Sequence, residues 1–266
     1  APPPEILRRT AAEKGEKILD GLKQTLTPDS FTRQEELIFA DCDAGKRARL
    51  GTLLSLCAAV SEHDFDARGL PHEKMLSLGQ ALLLSRVALR IPRRPEVREV
   101  VNVTTWENGS RGAHIRRNFE MTDSRGAVCL SGKSEWILID PTARKILRPA
   151  AFTAKKLTLC PREIDCPECK KVALPREGLE DLGSRPVRYS DLDGNGHVYS
   201  GNYGDIFWDA LPPDLQTREP REFFINYCRE ATLGETLLLS GFREGGAYRM
   251  EGRAGEETCF ACECVF

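Results

Sequence analysis

Apolar positions along the chain follow two alternating rhythms. Glu35–Ala40, Val97–Trp106, Ala113–Met121 and Ala127–Ile139 read as strand candidates, Val97–Trp106 being rich in Val and Thr, with turn-forming segments ("ENGS", "TDSRG") between the later ones. Such runs predict β-strands joined by turns, and residues 82–91 ("LLLSRVALRI") predict another. A helix is predicted after the first strand, because Leu50, Leu53, Leu54, Cys57 and Val60 fall on one helical face. Pro141–Gly183 breaks the pattern with prolines at 141, 149, 161, 167 and 175 and reads as a linker or long crossing connection. The order then returns. Val187–Ser190 leads into an acidic turn, and a helix with Tyr199, Tyr203, Ile206, Phe207 and Ala210 on one face runs up to Pro212-Pro213. Strands at Glu222–Ala231, Thr236–Phe242, Ala247–Glu251 and Glu257–Phe266 follow. Before all of this, residues 11–26 place Ile18, Leu19, Leu22 and Leu26 at helical spacing, which predicts a short amphipathic helix.

The two stretches match at an offset of 150 residues. Asp41 and Asp43 fall on Asp191 and Asp193, and Leu53, Cys57 and Val60 fall on Tyr203, Phe207 and Ala210. The repeated order of strand, acidic turn, helix and antiparallel strands predicts a duplication. One apolar helix per set of strands predicts an α+β arrangement, each sheet wrapped around its helix. The expected division is a tail at 1–30, a first unit at 31–150, a linker at 151–183 and a second unit at 184–266.

Composition narrows the function. The 266 residues carry a formal net charge of -2, which removes a whole-chain preference for nucleic acid. The best apolar run, Leu50–Val60, is too short to span a bilayer. The start, Ala-Pro-Pro-Pro, has no charged-then-apolar signal, though a removed targeting segment stays open; a cytoplasmic protein is expected. Ten cysteines in a chain able to build its own core point to a reducing compartment, not a disulfide scaffold. Cys262 and Cys264 share a strand face with Phe260 and Phe266, as core residues do. Cys160, Cys166 and Cys169 supply three ligands where structural zinc takes four, so they read as a linker loop and no metal is expected.

The stretch "YSDLDGNGHVYSGNYGDIFWDALPP", residues 189–213, carries the most chemistry. Asp-Gly and Asn-Gly favour a turn that caps a helix. Alternatively, Asp193, Asn195 and His197, spaced two apart in an extended run, would point the same way at a helix entrance. Free N–H groups there can hold an oxyanion. Glu230 also has two readings. Beside Arg229 it can be an exposed ion-pair partner. On a face shared with Phe224 and Cys228 it would be partly buried, with a raised pKa suited to proton abstraction.

"DLDGNGHVYSGNYGDIFWDALP" resembles the D-x-N-x-H segment of plant and bacterial acyl-ACP thioesterases. "INYCREA" (225–231) resembles that family's Y-x-R-E-C segment, and "KSEWILIDPTARKILRP" (133–149) its first-unit strand and T-x-R turn. The resemblance runs in order over residues 31–266. It implies two tandem hotdog units and hydrolysis of a fatty acyl thioester on acyl carrier protein (ACP), with the phosphopantetheine arm carrying the acyl chain. It implies catalytic roles for Asp193, Asn195, His197 and Glu230, with no metal or organic cofactor. The family's Cys after the Glu is Ala231 here, Gly194 and Gly196 replace larger residues, and Tyr199-Ser200 replaces Asn-Asn. Cys228 is expected to pack in the core.

In the expected mechanism Glu230 is the general base for water, or attacks directly to give an anhydride. His197 orients water or substrate, Asn195 donates to the carbonyl region or fixes Glu230, and Asp193 locks His197 or Asn195. The N–H groups near Val198 and Tyr199 are the oxyanion-hole candidates. In the first unit Gly45, Arg47 and Ile91 are expected opposite Asn195, His197 and Glu230, so that unit is expected to bind the acyl chain. Leu53, Leu54, Cys57, Tyr199 and Tyr203 are the substrate-binding candidates. For docking of acidic ACP, the basic clusters are Arg90, Arg93 and Arg94, and Arg144, Lys145, Arg148, Lys155 and Lys156. Acyl-CoA hydrolysis, a non-catalytic acyl-binding hotdog protein and a double-hotdog dehydratase are the rivals. A tandem unit already mimics a hotdog dimer, so a monomer or a homodimer is expected.

Overall fold

The computed structural model describes residues 16–19, 22–152 and 157–266. The first half holds β1 (Glu16–Leu19), β2 (Leu22–Leu26), β3 (Phe31–Glu36), α1 (Leu50–Ala67), α2 (His72–Ser77), β4 (Ala81–Arg90), β5 (Val100–Arg111), β6 (His114–Thr122), β7 (Val128–Asp140) and β8 (Lys145–Ile146). The second holds β9 (Glu180–Pro186), α3 (Asn202–Asp209), α4 (Pro213–Gln216), β10 (Glu222–Tyr227), β11 (Thr236–Glu244), β12 (Ala247–Ala254) and β13 (Glu257–Val265). They form one antiparallel sheet in the order β1-β2-β3-β5-β6-β7-β4-β10-β13-β12-β11-β9, with β8 on β7.

The duplication is visible in that order, since β3-β5-β6-β7-β4 is mirrored by β10-β13-β12-β11-β9. The mirror lies at the β4–β10 seam, where Ala88 faces Phe224 and is flanked by the pairs Arg90–Glu222 and Arg86–Asn226. The result is a tandem hotdog α+β fold. Inward positions of both halves, among them Leu53, Cys57, Leu89, Phe207, Phe223 and Phe260, share one buried core.

The two central helices touch backbone to backbone. A Cβ at Gly204 would lie 2.8 Å from the Gly51 nitrogen, and one at Gly201 would lie 3.1 Å from the Gly51 oxygen. Asp205 of α3 accepts the Gly51 N–H at 3.0 Å and so caps α1 across the seam. Burial raises the Asp205 carboxyl pKa, with Arg49 opposing.

The connection between the halves crosses the outer sheet face. Cys166 and Val172 pack there on Ala88, Phe224 and Ala261. The Val172 N–H donates to Asn226 Oδ1 at 2.7 Å, and Lys170 pairs with Glu263 at 2.6 Å. Cys166 and Cys169 give their thiols to the Ala88 and Lys133 carbonyls at 3.4 and 3.3 Å. Burial pushes both thiols up to about 12, away from the thiolate a metal needs. All ten cysteines are free thiols.

Four expectations are corrected. Residues 16–19 and 22–26 are strands, not part of a helix, while 11–15, 20 and 21 lie outside the described residues. The open edge of β3 captures β2, with Gln24, Thr25 and Leu26 opposite Arg33, Thr32 and Phe31, and so short a helix has little stability of its own to resist. The strand expected at Glu35–Ala40 lies earlier, at β3, and Phe39–Asp41 is a 3-10 turn closed by the Ile38 N–H on Asp41 Oδ2 at 2.9 Å. The strand of the second half that precedes the acidic turn is β9, ahead of Val187–Ser190, and Asp191 closes the matching turn on the Arg188 N–H at 2.7 Å. The strand expected over Glu222–Ala231 stops at Tyr227. There Cys228 and Arg229 both donate to the Cys259 carbonyl, at 2.8 and 3.1 Å, which forms a bulge.

Candidate active site

Residues 193–197 form a tight turn, not an extended run. The Asp193 N–H donates to the His197 carbonyl at 2.8 Å, and the Gly196 N–H to the Asp193 carbonyl at 3.0 Å. Gly196 adopts φ +81°, which favours glycine there. The Asp193 carboxylate accepts the N–H groups of Asn195 and His197 at 2.8 and 3.3 Å. Asp193 therefore locks the turn through its backbone and not the imidazole. Asn195 stands exposed at the tip, and among the described residues its amide group has no hydrogen bond.

The turn delivers His197 to the loop after β10. His197 bridges Thr232, and the Val198 N–H donates to the Ala231 carbonyl at 2.9 Å. This register sets His197 Nε2 3.4 Å from Glu230 Oε2, with the side chains 31% and 54% exposed. Glu230 is thus open to water, and the burial expected from strand alternation fails because the bulge ends the alternation. The alternative pairing with Arg229 also fails. That guanidinium forks onto Glu235 at 2.5 and 3.2 Å and reaches Glu257 at 3.0 Å. Cys228 is exposed, again because the bulge turns it out of the core. Ala231 is fully buried, so the position of the family's cysteine faces the core.

The profile of the acyl-ACP thioesterase N-terminal domain matches residues 28–151, and that of the C-terminal domain matches 181–257. The chain belongs to the acyl-ACP thioesterase family. It is a thioesterase, a hydrolase of acyl-ACP. An acyl-ACP thioesterase of Bacteroides thetaiotaomicron has the same fold, at 22% identity and TM-score 0.80, with 91% of this chain and 100% of that one covered. So does a 12:0-ACP thioesterase of Umbellularia californica, at 15% identity and TM-score 0.74, with 89% and 96% covered. No curated protein matches the chain.

The remaining site residues of the thioesterase divide. Val198 and Tyr199 cannot offer free N–H groups, because these donate to the Ala231 and Asp191 carbonyls. Among the described residues, the N–H groups of Ser200 and Gly201 at the α3 entrance meet no acceptor. Leu54 and Cys57 line an apolar cavity with Tyr227, whereas Leu53 is buried in the core. Tyr203 stacks in the core on Phe260 at 4.8 Å and Tyr227 at 5.8 Å. Tyr199 lies at the seam, near Ser55 of α1. Tyr227, not among the expected site residues, donates its hydroxyl to the Ser200 carbonyl at 3.1 Å. The signal was its place in "INYCREA", three residues before Glu230.

Backbone pairing also fixes the first-half counterpart of the site. The Ala48 N–H donates to Pro95 as Val198 does to Ala231, and Arg93 forks onto Glu99 as Arg229 does onto Glu235. The residue opposite Glu230 is therefore Arg94, not Ile91. Arg94 is buried and paired with Asp43 at 2.5 Å and with Glu219 of the second half at 3.0 Å. Arg47, opposite His197, also pairs with Glu219. An acid–base pair is replaced there by an ion-pair cluster. Among the described residues, the one carboxylate and thiol group spaced for a cation is Glu99, Asp123 and Cys129. The Arg93 guanidinium already lies against it, at 2.6 and 2.9 Å from the two carboxylates.

The Arg229–Glu235 clamp closes the loop that presents Glu230, with the Thr232 N–H also on Glu235 at 2.7 Å. Arg229 holds the Glu235 carboxyl down at about 2. A depressed carboxyl stabilises the fold above its unfolded pKa of about 4.3, and that contribution is lost as pH falls through the folded value. Glu235→Gln should therefore melt below wild type at pH 7, with the difference closing as pH drops from about 4.3 towards 2. Parallel melting curves at both ends of that range would contradict the clamp.

Proposed function

We propose that the thioesterase hydrolyses fatty acyl-ACP with Glu230 as general base for water and His197 as its partner. The observation that carries this is the 3.4 Å approach of His197 Nε2 to Glu230 Oε2 beside the entrance of α3. An imidazole in contact with a carboxylate open to solvent can orient a water and share its proton. The Ser200 and Gly201 N–H groups, at the positive end of α3, are the donors for the oxyanion. Asp193 and Asn195 shape the turn that carries His197. A nucleophilic thiol after Glu230 has no counterpart, since that residue is Ala231. The second unit (184–266) cuts and the first (31–150) holds the acyl chain, with 151–183 as the strap between them. The test is thiol release from a panel of acyl-ACPs and acyl-CoAs. Turnover of CoA esters alone would change the carrier, and acyl binding without turnover would leave a binding protein.

Carrier choice rests on charge. The cluster of Arg90, Arg93 and Arg94 is consumed internally, by Asp165 and Glu222, by Glu99 and Asp123, and by Asp43 and Glu219. Arg144, Lys145 and Arg148 are exposed and, among the described residues, unpaired; Lys155 and Lys156 lie outside them. Reversing the three together (R144E, K145E, R148E) should raise KM for acyl-ACP about tenfold or more at low salt, through lost steering of an acidic partner. KM for an acyl-pantetheine thioester should not move, and equal losses on both substrates would remove this face as the docking site.

A further inference from the structure

The free N–H groups of Ser200 and Gly201 at the α3 entrance belong to different peptide units, and each unit can turn unless its carbonyl is held. The Ser200 N–H shares a peptide with the Tyr199 carbonyl, which accepts the Asn202 N–H at 2.9 Å. That donor is fixed by main chain alone. The Gly201 N–H shares a peptide with the Ser200 carbonyl. Among the described residues no main-chain N–H donates to this carbonyl, and the group that reaches it is the Tyr227 hydroxyl, at 3.1 Å. The peptide is planar and trans, so holding its oxygen also sets the direction of its N–H. A Cβ at Gly201 would strike Ser55 and the Gly51 carbonyl, and the glycine required there leaves the unit freer to turn.

Tyr227 is anchored at both ends. It is the last residue of β10, paired with Phe260, and the next two N–H groups are caught by the Cys259 carbonyl in the bulge that presents Glu230. Its ring meets Tyr203 edge-on at 5.8 Å, and Tyr203 in turn lies on Phe260 at 4.8 Å. Burial raises its phenol pKa well above the ordinary value, so the hydroxyl stays protonated and donating. One side chain thus joins the strand that leads into Glu230 to the peptide that carries the Gly201 N–H.

We propose that Tyr227 is a positioning residue for the hydrolysis: through the Ser200 carbonyl its hydroxyl aims the Gly201 N–H at the developing oxyanion and sets the spacing of that donor from Glu230. This rests on the reading above, in which the Ser200 and Gly201 N–H groups take the oxyanion. Tyr227 itself does not touch the reacting atoms. Without its hydroxyl the Ser200 carbonyl loses its partner, the 200–201 peptide swings, and one donor is lost to the transition state. Ground-state binding is untouched, because the ring and its packing remain.

The test is Tyr227→Phe in the full chain. It should lower kcat for acyl-ACP by roughly 10–100-fold, less than outright deletion of an oxyanion donor, with KM held within about twofold. A thioether analogue of the substrate, which lacks the carbonyl, should bind wild type and variant alike. Tyr248→Phe is the comparison. It deletes another buried phenol, one that donates to Glu180 at 2.8 Å, and should lower the melting temperature while leaving kcat in place. A Tyr227→Phe enzyme with wild-type kcat, or one whose loss appears in KM and in thioether binding, would overturn the positioning role. Glu230→Gln is assayed beside it. Turnover lost in Glu230→Gln but kept in Tyr227→Phe would sink this role and leave the general base standing. The opposite pattern would sink the base and leave the role of Tyr227, and a wild type that turns over no thioester would sink both.

Discussion

Glu230→Gln should lower kcat on acyl-ACP by about 10²–10⁴-fold, the range for loss of a positioned general base. The amide keeps the shape of the side chain and can still meet His197, but it cannot take a proton from water. In free-energy terms the loss is about 3–5 kcal/mol at the transition state. KM should change little, because on the proposed reading the acyl tail is held by the first unit, away from Glu230. His197→Ala should fall within the same range, and the double variant should lose far less than the product of the two, since the pair acts as a unit. Single-turnover and steady-state thiol release measure this directly. A Glu230→Gln enzyme with more than a tenth of wild-type kcat would end the assignment.

Gly204→Val should cost about 3 kcal/mol or more of stability, from overpacking that strikes main chain. A Cβ there would stand 2.8 Å from the Gly51 nitrogen and 3.0 Å from the Leu50 carbonyl carbon, neither of which can swing aside as a side-chain end can. The helices must part, and α3 then no longer holds its entrance against Asp191 and Tyr227. For a chain of this size the melting temperature should drop by about 6–12 °C. Gly194→Ala is the control, because a Cβ there meets nothing within 4 Å. Thermal unfolding of both variants decides it, and a Gly204→Val protein that melts with wild type would mean that the helices do not touch as described.

How far the sequence could be read depended on whether local pattern or distant pairing set each element. The helix around Leu53 and Cys57 and the strands around Val103, Phe119 and Leu130 carry their own periodicity, so they were legible. β1 and β2 were not, because what makes them strands is the free edge of β3 and not their own residues. The resemblance named His197 and Glu230 together, and their side chains stand 3.4 Å apart. Glu230's exposure was missed because one carbonyl, on Cys259, takes two donors and stops the strand. The Arg94 counterpart was readable in principle, since "RRPEVRE" at 93–99 and "REATLGE" at 229–235 keep their Arg and Glu at the same spacing.

The β4–β10 seam has a consequence for any attempt to cut the protein in two. Each half ends its share of the sheet on a long unpaired row of main-chain donors and acceptors, covered in the intact chain only by the other half. Freed, either piece would present that row to its own copies and associate through it as a homodimer or as aggregate. The linker therefore does more than tether two modules: it fixes which partner each open edge meets.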